Sequence, residues 1–456
     1  MRYLILFIFL LFELVLFGQN EPPKALIDQY SYLYGYIKKY DSIEISSSNL
    51  MQNDDDPNWL DKLHIDTIFY TGPLEVEIKK YGSSKVSRII IKFPDNFTGS
   101  ETLSYRLVDD GTPTLADTGL IKVTVRKKEY DVLDINNIAV TVHSDELFAG
   151  PNHDIPAFEA PKGSSTYSIF RADLWMGGKV GHRIFSNNRY WRKHQQPNMH
   201  TGNTGPVTIY THNSVLENTK WDQVWKVNKQ DINRHIQDWK NIGYIPPFSI
   251  RNWPAHGDTT VGEPFYVAPF IDQNDDGIYN PLDGDYPKIK GDQAIYFVYN
   301  DGSAIWSPNP MNSEVHVLVY AFTCKDSALQ NTIFVDYRII NKSQNTYDST
   351  YFGMWVDGDL GYSLDDRIQC DVDRGLYYQF NGDDFDDDNW GRKGYGNHPA
   401  AQGIMTLKGA RQDIDGIDNQ FGILENQTVN GNGFGDGIID NEHWGMESFR
   451  YYWGDN

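Results

Sequence analysis

Alternation of apolar and polar residues at every second position is the feature that most restricts how this chain can fold. In its first third, the segments with this pattern are 41–46, 75–80, 87–93, 102–108 and 119–125. Period-two alternation indicates strands with one buried face, and about seven short strands in about 100 residues are typical of a β-sandwich. We therefore predict an amino-terminal sandwich over residues 25–127, followed by a polar linker.

Residues 130–456 combine aromatic-rich strands, long polar loops and a single predicted helix. The strongest strand patterns are 294–299, 314–323, 332–340 and 350–356. We expect these four strands to share one antiparallel sheet, with polar residues 341–345 as a hairpin connection. A helix is predicted over 229–241, because Ile232, Ile236 and Trp239 recur on one face. The predicted fold class is mostly β, with a larger antiparallel β-sandwich-type domain at 130–456 that has long loops and few helices.

The amino terminus has the pattern of a secretory signal peptide. Arg2 supplies a basic start, residues 4–17 form an apolar run, and the small residue Gly18 precedes polar residues. The run is too short to span a bilayer. We therefore predict a signal peptide at 1–18 and an extracellular location, either secreted or at the cell surface. The alternative from the residues alone is a buried amino-terminal helix.

Charge restricts the partners of this chain. There are 62 acidic and 40 basic residues, for a net charge of −22. This sign disfavours nucleic acid and anionic membranes as partners. The acids gather in short Asp/Asn/Gly runs, which favours cation sites. The two cysteines, Cys324 and Cys370, are compatible with one bridge or with free thiols.

The sharpest motif is a twelve-residue segment, 272–283, with oxygen-bearing side chains at positions 1, 3, 5, 9 and 12 and glycine at position 6. Calcium binds about six to eight oxygens, and a loop of this length wraps them only if position 6 turns sharply. With Asp at position 12, the segment is similar to the calcium loop of dockerin modules, although no flanking helices are predicted. The alternative is an Asp/Asn-rich turn without metal. The predicted ligands are Asp272, Asn274, Asp276, the carbonyl of Ile278, Asn280 and Asp283.

Further acidic segments of the second domain predict weaker metal sites. Their alternating acids allow successive side chains to converge on one cation, but they lack a complete twelve-residue register. The alternative is a set of solvated turns. The residues concerned are Asp357, Asp359, Asp365, Asp413, Asp415, Asp418, Asp436 and Asp440.

In the first domain, acidic and turn-forming residues recur at 53–56, 93–99 and 109–111. These stretches resemble the tandem cadherin-like and immunoglobulin-like repeats of bacterial surface adhesins. The resemblance implies an Ig/cadherin-like β-sandwich and weaker calcium sites at Asn53, Asp54, Asp56 and Asp109. The alternative is that these are turn residues, since Asn and Asp favour such loops.

Several stretches of the second domain together resemble a family of secreted proteins. They are 133–137, 160–164, 174–178, 268–270, 284–287, 291–294 and 357–361. The family comprises large proteins of Bacteroidota exported by the type IX secretion system, which typically carry adhesin-like repeats and a carboxy-terminal sorting domain. No such sorting domain is recognisable before residue 456. We expect a chain truncated at its carboxy terminus, and the alternative is export by a different route.

The motifs of common enzyme classes are missing from the sequence: the His-Glu-x-x-His zinc signature, the Gly-x-Ser-x-Gly elbow and the Walker loop. We therefore predict a secreted, calcium-binding surface, adhesion or structural protein without catalysis. Its expected partner is a cell-surface or extracellular matrix component, with a glycan as one candidate. Two alternatives stay open. A carbohydrate-binding module would use the aromatic residues, 14% of the chain. A glycan-active hydrolase needs only a carboxylate pair, which has no fixed sequence spacing.

Overall fold

The computed structural model of this chain describes most of its residues. The described residues are 20–33, 42–58, 60–82, 84–94, 97, 99–126, 129–150, 155–187, 203–208, 221–301, 309–371, 373–388, 391–420 and 431–452. The predicted signal peptide, 1–18, lies outside the described residues. The chain divides into two compact units, residues 1–128 and 129–456.

The first unit is a sandwich of two β-sheets. Its described elements are β1 (Ile27–Leu33), β2 (Ser42–Ser46), helical turn α1 (Ser47–Leu50), β3 (His64–Phe69), β4 (Glu75–Tyr81), β5 (Lys85–Lys92), β6 (Gly99–Val108) and β7 (Ala116–Arg126). One sheet has the strand order β1-β7-β6-β3 and the other β2-β5-β4. Alternate residues of both sheets, among them Ile45, Ile89, Leu103 and Val123, are buried in one core. The predicted β-sandwich is confirmed.

The first strand of this unit is paired differently from the others. β1 runs parallel to β7 through seven residue pairs, from Ile27–Leu120 to Leu33–Arg126, whereas the other pairs are antiparallel. Parallel neighbours begin at the same edge of a sheet. The residues just before β1 therefore lie beside the turn that joins β6 to β7.

The second unit contains several small sheets. Its described strands are β8 (Tyr130–Leu133), β9 (Ala139–His143), β10 (Phe158–Glu159), β11 (Tyr167–Ile169), β12 (Arg171–Val180), β13 (Arg183–Asn187), β14 (Asn203–Thr204), β15 (Trp225–Asn228), β16 (Phe270–Ile271), β17 (Tyr286–Pro287), β18 (Gln293–Asn300), β19 (Ser313–Ala321), β20 (Phe334–Asn341), β21 (Asp348–Asp357), β22 (Asp366–Asp371), β23 (Leu376–Asn381) and β24 (Ala401–Met405). Its described α-helices are α2 (Lys229–Asp238), α3 (Phe248–Arg251) and α4 (Ser327–Gln330). The predicted mostly β fold with few helices is confirmed.

The largest of these sheets is covered on both faces. Strands β14, β18, β19 and β20 follow one another, and β15 also pairs with β18. Ile295 and Phe297 of β18 belong to one hydrophobic core, whereas Tyr296 and Val298 belong to another. Successive side chains of a strand point to opposite faces. The continuous apolar run of β18 therefore fits a strand buried on both sides.

The prediction that four strands share a sheet is wrong for the last of them. β18, β19 and β20 pair as expected, but β21 pairs with β12 in a different sheet, from Arg171–Asp357 onwards. Residues 341–345 therefore connect two sheets instead of closing a hairpin. Alternation identifies a strand but carries no information about its partner, which explains the error.

The predicted helix is three residues shorter than expected and buries a different face. α2 ends at Asp238, and Gly243 follows with φ +81°. Ile232 and His235 are buried, whereas Ile236 is 45% exposed. Both cysteines are free thiols, and each is partly buried.

Candidate cation sites

Three carboxylates meet at one end of the first unit. One oxygen from each of Asp56, Asp61 and Asp109 lies within 4.8 Å of the others. Asp109 is completely buried, and Asp56 is 9% exposed. We call these three residues the amino-terminal acidic cluster.

The turn after β6 holds Asp109 in place. Its Oδ1 accepts hydrogen bonds from the backbone N–H groups of Leu115 (2.8 Å) and Gly111 (3.2 Å). Its Oδ2 accepts a bond from Nδ2 of Asn20 (2.8 Å), which precedes β1. The parallel edge strand thus places a fourth oxygen-bearing side chain, that of Asn20, against the three carboxylates.

Asp56 presents an oxygen without a partner. Its Oδ1 accepts a bond from the N–H of Asn58 (2.7 Å), but its buried Oδ2 has no hydrogen-bond donor, and neither has Oδ1 of Asn20. Gly111 closes the site from another side, since a Cβ there would lie 2.6 Å from Oδ2 of Asp61 and 2.4 Å from Nδ2 of Asn20. A buried acceptor without a donor is costly, and a cation satisfies it.

Electrostatics in this cluster also favours a cation. Loss of hydration raises the pKa of Asp61, and the charges of Asp56, Asp109 and Asp110 raise it further. Among the described residues of this unit, the ion pairs use other acids, namely Glu44, Asp66, Glu75 and Glu77. At an effective dielectric constant of about 20, two like unit charges about 4 Å apart repel by about 4 kcal/mol. A bound divalent ion removes that repulsion.

The structure places two of the predicted first-domain residues outside the cluster. Asp54 accepts hydrogen bonds from the hydroxyl of Tyr105 (2.8 and 2.9 Å) and from the N–H of Leu26 (2.8 Å). Asn53 donates through Nδ2 to the carbonyl of Ile27 (3.3 Å). Asp56 and Asp109 do meet, but the third acid, Asp61, was not among the predicted ligands.

The twelve-residue loop, 272–283, is closed at its base by the two-residue strands β16 and β17. In its first half, Asp272 accepts bonds from the N–H groups of Gly277 (2.7 Å) and Asn274 (3.3 Å). Asp276 accepts a bond from the N–H of Ile278 (2.7 Å). Gly277 has φ +78°, a conformation that suits glycine, as the spacing required.

The second half of the loop forms a separate group. Nδ2 of Asn280 donates to Oδ2 of Asp283 (2.6 Å), and Oδ1 of Asn280 accepts from the N–H of Leu282 (3.1 Å). Among the described residues, the acids of this loop do not form a set of three with oxygens within 4.8 Å of one another. The predicted ligands therefore lie in two halves around the loop.

A buried carboxylate that sequence analysis did not identify connects the two halves. Asp285 is fully buried and accepts bonds from the N–H groups of Gln273 (2.8 Å) and Asn280 (2.8 Å). Nε2 of His256 accepts a bond from the N–H of Tyr279 (2.8 Å). The signal for Asp285 in the sequence was its position, immediately after the glycine that ends the loop.

The predicted site at 357–365 is divided in the structure. Asp359 forms an ion pair with Arg392 (3.0 Å). Burial and then the charge of Asp359 raise the pKa of Asp357 to about 6. Asp365 is not part of a three-acid group in the described chain. A neighbouring arginine reduces the need for a metal ion at this position.

The two remaining weak segments, 413–418 and 436–440, lie together. One oxygen from each of Asp413, Asp415 and Asp440 lies within 4.8 Å of the others. Asp418 instead accepts bonds from the N–H groups of Gly435 (2.7 Å) and Gly437 (2.7 Å). Two segments predicted as separate sites are therefore parts of one arrangement.

Comparison with known proteins gives only weak similarities. No family model and no curated protein matches the chain. One solved structure, a nucleoside hydrolase-related hypothetical protein from Saccharophagus degradans associated with carbohydrate metabolism, is 17% identical over 24% of this chain and 26% of its own, with a TM-score of 0.17. Protocadherin Gamma C5 EC1-3 is 15% identical over 26% of this chain and 36% of its own, with a TM-score of 0.17.

A third structure, mouse clustered PcdhgC3 EC1-3, is 12% identical over 36% of this chain and 50% of its own, with a TM-score of 0.15. This chain therefore spans half or less of the length of each of these structures. Similarities with such low TM-scores carry no argument about function. Separately, no helix in the described residues has the length and apolar character needed to cross a bilayer.

Proposed function

We propose that this chain is a secreted, calcium-binding β protein that acts at the cell surface or in the extracellular matrix as an adhesion or structural component, without catalysis. The observation that carries the calcium assignment is the amino-terminal acidic cluster with its buried, unpartnered Oδ2 of Asp56. Calcium prefers carboxylate and amide oxygens at flexible distances, and the cluster together with Asn20 offers such a set.

The expected consequence is a calcium-dependent stability of the first unit. Extracellular calcium modules bind with dissociation constants of about 10⁻⁴ to 10⁻³ M. A ligand about a hundredfold above its dissociation constant adds about 2.7 kcal/mol to the free energy of unfolding. Against a typical total of about 5 to 15 kcal/mol, this contribution is large.

The test compares the exported chain with two variants, Asp56→Asn and Asp55→Asn, by calorimetric titration with calcium and by thermal unfolding with and without a chelator. Asp55 is the matched control, because it is an exposed neighbour in the same acidic run. We expect Asp56→Asn to lose calcium affinity and to unfold at a higher temperature than the wild type in chelator, since the repulsion is reduced. Equal titration curves for wild type and Asp56→Asn would overturn the assignment.

The twelve-residue loop is proposed as a second and weaker calcium site. We keep its predicted ligands, but they lie in two halves whose oxygens already accept local hydrogen bonds. Backbone N–H groups donate to Asp272 and Asp276, and Nδ2 of Asn280 donates to Asp283. We expect the double variant Asp272→Asn/Asp276→Asn to weaken calcium binding less than Asp56→Asn does. A larger loss in the double variant would reverse this ranking.

The extracellular location and the export route are further parts of the proposal. They are supported by the apolar start of the sequence and by its resemblance to type IX cargo proteins. The measurement is digestion of intact producing cells by an added protease, with a cytoplasmic protein as control. Recovery of the chain only inside the cell with residues 1–18 attached would contradict this location, and turnover of a polysaccharide panel would contradict the absence of catalysis.

A further inference from the structure

The tripeptide Asp-Gly-Ile occurs three times in the chain with the same local structure. The copies are 276–278, 415–417 and 436–438. Their glycines have φ values of +78°, +80° and +88°. In each copy the aspartate accepts a hydrogen bond from the N–H of the isoleucine, at 2.7, 2.8 and 2.9 Å. The first copy belongs to the twelve-residue loop.

The second and third copies exchange contacts with each other. Oδ1 of Asp440 accepts bonds from the N–H groups of Asp415 (2.8 Å) and Gly416 (2.9 Å). Asp418 accepts hydrogen bonds from the N–H groups of Gly435 and Gly437, which belong to the other segment. In the first copy the equivalent acceptor, Asp272, comes from the same loop. We call segments 412–419 and 431–442 the paired loops.

A fourth acid adjoins the carboxylates that meet in the paired loops. Glu442 is completely buried, and its Oε1 accepts a bond from the N–H of Asn419 (2.6 Å). Its Oε2 has no hydrogen-bond donor. The backbone N–H of Gln412, the residue before Asp413, donates to the carbonyl of Glu442 (3.0 Å), which places Glu442 next to the three-acid group.

Three buried amide oxygens of the paired loops also lack hydrogen-bond donors. They are Oε1 of Gln412, Oδ1 of Asn419 and Oδ1 of Asn441. The described ion pairs in this part of the chain join Arg374 to Asp371 and Arg392 to Asp359, and so do not neutralise the paired loops. Buried oxygens without donors, next to carboxylates that form no described ion pair, are the surroundings expected of a hard metal ion.

We propose that the paired loops bind one calcium ion through Asp413, Asp415, Asp440 and Glu442, and that this ion holds the two segments together. Asp418 and Asp436 shape the turns and are not ligands. This site adds to the proposed calcium-binding function and is independent of the amino-terminal acidic cluster.

The test is hydrogen exchange with mass spectrometry on the full exported chain, in calcium and in chelator, combined with the number of calcium ions bound at equilibrium. We expect calcium to slow exchange in 412–419 and 431–442. The double variant Asp413→Asn/Glu442→Gln should lose one bound ion and this protection, while protection around 106–116 is kept. The control Asp436→Asn should keep both the bound ion and the protection of the paired loops.

The outcomes separate this inference from the proposed function. A calcium response near Asp56 and Asp109 with no response in the paired loops would overturn the paired-loop site alone. No response in either region would overturn both. Loss of the ion in Asp436→Asn but not in Asp413→Asn/Glu442→Gln would overturn the assigned ligands.

Discussion

The amino-terminal acidic cluster and the twelve-residue loop place similar residues in opposite situations. In the loop, Asp276 and Asp283 are exposed and Asp272 is partly exposed, and all three accept hydrogen bonds from groups of the loop itself. In the cluster, two of three acids are buried, and an oxygen of Asp56 has no donor. The loop has the more regular spacing in sequence, whereas the cluster has the stronger physical need for a cation.

This difference shows that the regular spacing of acids in a sequence and the meeting of acids in the fold are different kinds of evidence for a cation site. A short motif determines the path of the backbone, such as the turn at Gly277. Convergence of carboxylates depends on tertiary contacts, as between Asp56 and Asp109, which are far apart in sequence. We therefore expect the cluster to depend on calcium for stability and the loop to keep its shape without it.

The largest expected effect separates the two regions by stability. Asp109→Ala removes the acceptor for three donors in a buried position, and we expect the first unit to lose about 2 to 4 kcal/mol of unfolding free energy. Asp283→Ala, in the exposed half of the loop, should cost about 0.5 kcal/mol or less. Chemical denaturation of both variants checks this ranking, and similar losses would remove the distinction between the two regions.

A second prediction concerns the buried carboxylate behind the loop. Asp285→Ala leaves the N–H groups of Gln273 and Asn280 without their acceptor, so we expect a local cost of about 1 to 3 kcal/mol. The measurement is hydrogen exchange across 270–287 in chelator. If Asp285→Ala exchanges no faster than Asp283→Ala, the loop does not depend on Asp285 for its shape.

A third prediction uses pH to examine Asp28, a buried acid of β1 that lies near Asp54. Burial, and then the charge of Asp54, raises the pKa of Asp28 from 3.8 to about 6. Between pH 3.8 and about pH 6, Asp28 is protonated in the folded state but mostly ionised in the unfolded state. The stability that Asp28 contributes therefore falls as pH rises through this window. Between pH 4 and pH 7, we expect the free energy of unfolding to fall by about 2 kcal/mol less in Asp28→Asn than in the wild type. Denaturation at pH 4 and pH 7 gives the slope, and parallel slopes for both proteins would contradict the prediction.

The smallest expected effect compares two glycines with the same backbone conformation. Gly277→Ala introduces strain at φ +78° and a Cβ 2.8 Å from the hydroxyl of Tyr266, whereas Gly416→Ala has the same strain but open space. We expect about 1 kcal/mol for the conformational strain in each, with more for Gly277. Thermal unfolding of both variants tests whether the contact with Tyr266 matters.

The nine segments predicted as strands are strands in the structure, but the other described strands were not predicted. The runs at 294–299 and 314–323 correspond to β18 and β19, because both are rich in the β-branched and aromatic residues that favour strands. β1 was not predicted, since Ile27–Leu33 lacks a clear alternation. The partner of β21 was wrong, since alternation is a local property and pairing is not.

The candidate sites show the same limit. The turn at Gly277 could be predicted from its position in the loop, and Gly277 has the positive φ expected there. Asn20 reaches Asp109 because β1 lies parallel to β7, whereas Asp61 reaches it because β3, which follows Asp61, pairs with the end of β6. The paired loops meet because Asp418 and Asp440 each accept hydrogen bonds from the other segment. Such long-range contacts leave no periodic signal in the sequence.

The parallel pairing of β1 with β7 also has a mechanical consequence. A tension applied through the chain at the start of β1 and at the end of β7 pulls the two strands along their common axis in opposite directions. All seven residue pairs then share the load at once, instead of separating one after another from an end. A domain held between two attachment points in this way is suited to resist stretching.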